Sequence, residues 1–109
     1  MHVTRAELDA LAEEHLAKAA SAPHRRSARV VLNDGRLRHT LIALAAGAEL
    51  GDHSKPEAAT LLVLRGAVRV GWDSGEVRVS HGGLFVLPDA VHRVGADEPS
   101  VFLLTTLAG

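Results

Sequence analysis

Apolar residues change their spacing once along this chain, and the change separates a helix from a set of strands. Leu8, Leu11, Ala12, Leu16 and Ala19 recur at three- to four-residue intervals, which leaves Glu7, Glu14 and Lys18 on the opposite side. Thr4-Arg5-Ala6-Glu7 precedes this run and has the form of a capping box, in which a hydroxyl and a carboxylate satisfy the first free backbone N–H groups. Ser21-Ala22-Pro23 ends it, because the residue before a proline is pushed out of the helical region. The spacing predicts one amphipathic helix in need of a surface to cover.

From Ala28 onward the period becomes two, and short β-branched or leucine-rich runs alternate with glycine and aspartate turns. Strands are predicted near 28–33, 36–46, 59–65, 67–73, 76–80, 84–87, 91–94 and 100–106. Asn33-Asp34-Gly35 and Asp73-Ser74-Gly75 predict tight hairpins with left-handed turn residues. Val68, Val70 and Trp72 alternate with Arg69, Gly71 and Asp73, and Val77 and Val79 with Glu76, Arg78 and Ser80, so that hairpin has a wet side. Residues 41–46 are instead apolar on both faces. Such a strand lies between a barrel interior and another layer, either the N-terminal helix or a second subunit, and a homodimer is expected on that basis. With no second helical pattern, the body is all-β, a sandwich or barrel, organised as helix and linker over 1–27 and barrel over 28–109 in a single domain.

Composition narrows the chemistry. The 109 residues, 47% apolar and 23% charged, are enough for one hydrophobic core. Trp72, Phe85 and Phe102 are the only aromatics and the formal net charge is −1, which argues against base-stacking platforms and phosphate-neutralising surfaces, so no nucleic acid partner is expected. The absence of cysteine removes disulfides, zinc fingers and thiol nucleophiles, and any metal must use His, Asp or Glu. No signal-type or membrane-spanning apolar run is present, so a cytoplasmic protein without a membrane partner is expected. Motifs of serine hydrolases, phosphate-binding loops, zincins and dinucleotide-binding folds are missing. The run His24-Arg25-Arg26-Ser27-Ala28-Arg29 reads as a small anion-binding patch or as solvated linker.

Two later segments carry more. Residues 47–66 contain Gly47, Gly51, His53, Lys55, Pro56, Glu57, Ala59 and Gly66, and residues 82–92 contain Gly82, Gly83, Pro88, Asp89, Ala90 and His92. Each joins glycine or proline turns to a strand that delivers a histidine. Together they resemble the paired signatures of the cupin superfamily, over roughly residues 38–107. The resemblance implies a cupin-type double-stranded β-helix, a jelly-roll barrel, in which the first signature supplies two histidines and a glutamate and the second a third histidine to an octahedral metal. His53 and His92 match histidine positions, although His92 comes one residue early. Lys55 stands where the second histidine would be, Ala59 where the glutamate would be, Ala90 in place of a glycine, and Ala96 or Asp97 in place of a later asparagine.

The candidate ligand contacts are therefore His53, Lys55 and His92. The candidate metal ligands are His53 and His92 together with Glu57, which shares strand parity with Lys55 and Ala59, or His39, on the strand leading into the first signature. They would hold one divalent transition metal: Zn, Ni, Fe or Mn. His39 and His81 can equally be hydrogen-bonded structural residues, and Asp89 can orient His92 or stabilise its own turn. His2, His15 and His24 fall outside the barrel and carry no signal. The leading expectation is a small molecule bound in an aliphatic pocket lined by Leu61 or Leu62, Val63, Ala43 or Leu44, Phe85 and Leu87, with Lys55 favouring a carboxylate or enolate. The alternatives are a metal-dependent dioxygenase or isomerase, a metal-free epimerase-like enzyme using an unliganded histidine as base, and an interaction domain whose barrel is filled by its own side chains.

Overall fold

The computed structural model describes residues 1–108. Helix α1 (Arg5–Ser21) opens on Thr4, whose hydroxyl accepts from the Glu7 N–H at 3.1 Å while the Glu7 carboxylate accepts from the Thr4 N–H at 3.3 Å. The capping box thus closes as its sequence predicts. Nine strands follow: β1 (Arg26–Asp34), β2 (Leu37–Leu44), β3 (Glu49–His53), β4 (Ala58–Arg65), β5 (Ala67–Trp72), β6 (Gly75–Ser80), β7 (Leu84–Val86), β8 (His92–Gly95) and β9 (Ser100–Leu107).

The strands form two antiparallel sheets, a five-stranded one in the order β1-β2-β9-β4-β7 and a four-stranded one in the order β3-β8-β5-β6. From β2 to β5 the chain changes sheet at every step, which is the winding of a jelly roll. Ile42, Leu44, Leu61, Val63, Val68, Val70, Val94 and Phe102 fill the space between the sheets. The odd positions of β2 face the other way: Leu41 and Ala43, with Ala45 and Val101, pack against Ala12 and Ala19 of α1. Residues 41–45 are therefore buried on both faces within a single chain, and α1 is the second layer that the sequence left open. The two-faced burial of this strand is thereby accounted for without a second subunit.

Three local expectations are corrected. Strand β3 was not foreseen, because Gly51 and a register shift between Leu50 and His53 break its alternation. Strand β1 begins at Arg26, so the link after α1 is only residues 22–25, and the rest of the basic run opens a strand with its arginines exposed. Arg25 donates to the carbonyls of Ala20 and Ala46 (3.2 and 3.4 Å), which satisfies the carboxyl end of α1, and Arg26 donates to that of Glu49 (3.3 Å). The 72–75 hairpin pairs Trp72 with Gly75 directly, and Gly75 is not left-handed; the Trp72 ring lies against it instead.

Candidate functional site

The register of the smaller sheet sets the site. Leu50 pairs with Val94, and Val94 with Val70, all three turned toward the core. Two residues from Val94, on the same face, His92 is paired with Trp72 on one side and His53 on the other. His53 is three residues from Leu50, so in an unbroken ladder it would face solvent and Asp52 would oppose His92. The one-residue irregularity between Leu50 and His53 turns His53 inward instead.

The two imidazoles meet edge to face, with ring centroids 4.4 Å apart and planes at 66°. The His53 Nδ1 lies 2.7 Å from the Gly51 carbonyl oxygen and the His92 Nδ1 lies 3.0 Å from that of Ala90. A carbonyl can only accept, so both Nδ1 atoms carry the proton and the neutral rings keep their lone pairs on Nε2. His92 is fully buried, and its Nε2 has no hydrogen-bond partner among the described residues. His53 is half-buried. Beyond His92, Trp72 stacks on Phe85 with centroids 6.2 Å apart and planes at 28°.

Of the other candidates, His39 and Glu57 are engaged elsewhere. His39 shares its face of β2 with Leu41 and Ala43, away from the barrel interior, and its Nδ1 is 2.9 Å from the Thr105 hydroxyl. Strand parity thus turns it away from the His53–His92 pair. Glu57 is half-exposed and ion-paired with Arg36. Lys55 is half-buried just past the end of β3. His81 is exposed, as is Asp89, and the His92 ring is oriented by the Ala90 carbonyl rather than by Asp89. Among the described residues no three His, Asp or Glu side chains come together in a way that could hold a metal. Two imidazole nitrogens of the correct tautomer with no third donor fall short of an octahedral divalent site, so the residues present do not fit the metal that the resemblance implies.

The interior residues expected to line a pocket divide by parity. Leu61, Val63, Leu44, Phe85 and Leu87 belong to the packed core, whereas Ala43 faces α1 and Leu62 faces a groove outside the sheet. That groove, of about 420 Å³, lies between Leu8 of α1 and Leu62 and Leu64 of β4, with Arg5, Asp9 and Arg65 at its rim. A second cavity of about 440 Å³ lies at the β1–β2 turn beside Asp34, Leu37 and His39. Neither contains His53 or His92.

Sequence reasoning missed His15. It is buried under α1 with Nδ1 2.7 Å from the Ser27 hydroxyl. The available signal was its position four residues from Leu11 and Ala19, on the apolar stripe of the helix.

No protein-family model matches the chain, and no curated protein matches it in sequence. Solved structures do. A conserved protein of unknown function from Streptococcus pyogenes is 27% identical, with 81% of this chain and 78% of that one covered at a TM-score of 0.70. A cupin superfamily protein from Desulfitobacterium hafniense is 15% identical, covering 77% and 78% at 0.71. Salicylate 1,2-dioxygenase from Pseudoaminobacter salicylatoxidans is 19% identical; 96% of this chain superposes on 34% of that one at a TM-score of 0.76. Two sheets in jelly-roll order, a pair of inward histidines on β3 and β8 and these neighbours agree: the chain has the fold of a small single-domain cupin.

Proposed function

We propose that this protein binds a small hydroxylated carboxylate at the His53–His92 pair without a metal ion. The observation that carries the reading is the buried, unpartnered Nε2 of His92 behind the half-exposed ring of His53. A buried acceptor left unpaired costs about 1–3 kcal/mol, which a ligand O–H or N–H donated to it recovers. His53 leans over His92 edge to face and forms the entrance, and a turn of its side chain gives a ligand access. Lys55, two residues beyond His53, supplies the cation that favours a carboxylate, and Trp72, paired with His92 and stacked on Phe85, supplies a planar surface. With a bound carbonyl compound, the neutral His53 Nε2 is also the group able to take a proton as a base.

Salicylate, the substrate in the name of one structural neighbour, is a suitable probe because it carries one hydroxyl and one carboxylate. Titration into uniformly ¹⁵N-labelled protein is expected to move the Nε2 resonances of His53 and His92 and to do so no longer in Lys55→Ala. Unchanged imidazole resonances across salicylate and a panel of aliphatic hydroxy acids would overturn the reading. The same spectra recorded with Zn²⁺, Ni²⁺, Fe²⁺ or Mn²⁺ test the metal alternative: stoichiometric shifts at both rings would replace the metal-free reading with a metal-dependent one.

A further inference from the structure

We propose that α1 is an acid-released cover over the outer face of the five-stranded sheet, with His15 as its latch. The imidazole sits between Ala12 and Ala19 on the buried stripe of the helix, with only 4% of its surface exposed. Its Nδ1 is 2.7 Å from the Ser27 hydroxyl on β1, the contact that ties the middle of α1 to the sheet. Its Nε2 is buried without a hydrogen-bond partner. The hydroxyl can donate to Nδ1 or accept from it, so the neutral ring is satisfied at that atom in either tautomer. A second proton has no such place to go.

The charges around the ring oppose that second proton. On α1, the Glu14 carboxylate is 3.6 Å from Nε2, but the same oxygen is held at 3.0 Å by Lys18 on the exposed side of the helix. On β1, Arg29 faces the same interface. The register sets Ser27 beside Ala43 and Arg29 beside Leu41, and β2 and β9 contribute only apolar side chains here, Leu41, Ala43 and Val101. One carboxylate thus stands against two cations and an apolar wall. Burial, the largest cause, together with Lys18 and Arg29 holds the His15 pKa below its ordinary value, against the smaller pull of Glu14. Proton uptake is therefore coupled to undocking: the imidazolium gains water only when α1 lifts, and lifting uncovers Leu41, Ala43 and Val101.

Amide hydrogen exchange, corrected for the intrinsic effect of pH, tests this on the full chain. Between pH 7.5 and 5.5 the amides of α1 are expected to lose up to about tenfold in protection, the limit for one imidazole of ordinary pKa 6.5, while those of β5 keep theirs. In His15→Gln, whose amide still reaches Ser27 and does not titrate, α1 protection is expected to be equal at the two pH values. Equal protection in the wild type, or the same pH dependence in His15→Gln, would overturn the proposal. Should that variant fail to fold, the wild-type ring decides. The His15 ¹⁵N shifts must report protonation with the same midpoint as the loss of α1 protection, and an imidazolium beneath a still-protected helix refutes the latch.

Discussion

His53 faces His92 because β3 carries one extra residue between Leu50 and His53, which exchanges Asp52 for His53 at the position opposite His92. The bulge converts a carboxylate–imidazole pair into two imidazoles, each with Nδ1–H bonded to a carbonyl two residues earlier. The polar centre of this fold is therefore uncharged when both rings are neutral, and it lies at the edge of a core filled by Val68, Val70, Val94 and Phe102.

A site of this kind trades stability for binding, and the trade can be measured. His92→Leu replaces a buried ring having an unpartnered nitrogen with an apolar side chain of similar size, so it is expected to hold or raise stability, by up to about 1–3 kcal/mol, while abolishing ligand-induced shifts. His53→Ala removes a half-exposed ring and is expected to cost under about 1 kcal/mol. Urea unfolding monitored by Trp72 fluorescence gives both values. A loss above about 2 kcal/mol for His92→Leu would mean that Nε2 is already satisfied in the folded protein.

The turn glycines should outrank the histidines in stability, but for two different reasons. Gly66 has φ +68°, and a Cβ there would lie 2.5 Å from both the Pro99 carbonyl oxygen and the Ser100 Oγ. Gly82 has φ +82° with open space around it. Gly82→Val thus meets only the left-handed penalty of about 1–2 kcal/mol, whereas Gly66→Val adds a backbone clash and is expected to prevent folding. Comparing soluble expression and urea midpoints of the two variants separates the terms; equal losses would contradict the close approach at Gly66.

The order of these effects bears on what the sequence could reveal. Glycine and proline turns, period-two strands and the Thr4–Glu7 cap are local signals, and they marked α1 and every strand but β3. The pairing of His53 with His92 was legible only through resemblance, because a bulge leaves no trace in the alternation it interrupts. His39 and Glu57 are engaged away from the pair for related reasons. Parity on β2 was ambiguous in a run apolar on both faces, and the arginine that holds Glu57 comes from the distant β1–β2 turn. His15 looked like a surface residue of a charged helix until the helix had a sheet beneath it.

His15 also gives stability a pH dependence with a defined sign. Its folded pKa lies below 6.5, the unfolded value, chiefly through burial, so between those values the unfolded chain binds the proton and the native state does not. The contribution is complete above about pH 6.5 and is lost as pH falls through the folded pKa. Glu14, lowered mainly by its bond to Lys18, acts further down, its contribution being lost below its ordinary value of 4.5. The urea midpoint of the wild type is therefore expected to fall between pH 7.5 and 5.5 by more than that of His15→Gln. Parallel pH profiles would show that the buried ring is not the group responsible.

Ser100 joins the two sheets at one atom, and its removal should be coupled to that of Gly66. Its buried hydroxyl accepts from the Ala67 N–H at 3.1 Å and lies 2.9 Å from the carbonyls of Ala67 and Glu98, so it ties the start of β9 to the start of β5. Ser100→Ala leaves the Ala67 N–H unpaired and is expected to cost about 1–3 kcal/mol. Gly66→Ala drives its new Cβ against that same oxygen and against the Pro99 carbonyl. In the double variant the clash with Oγ is gone and the clash with the carbonyl remains, so the combined loss is expected to be smaller than the sum by about 0.5–3 kcal/mol, the range for residues in contact. Additive losses would mean that the chain relieves the contact at Gly66 by moving β5 away from β9 rather than by compressing it against Ser100.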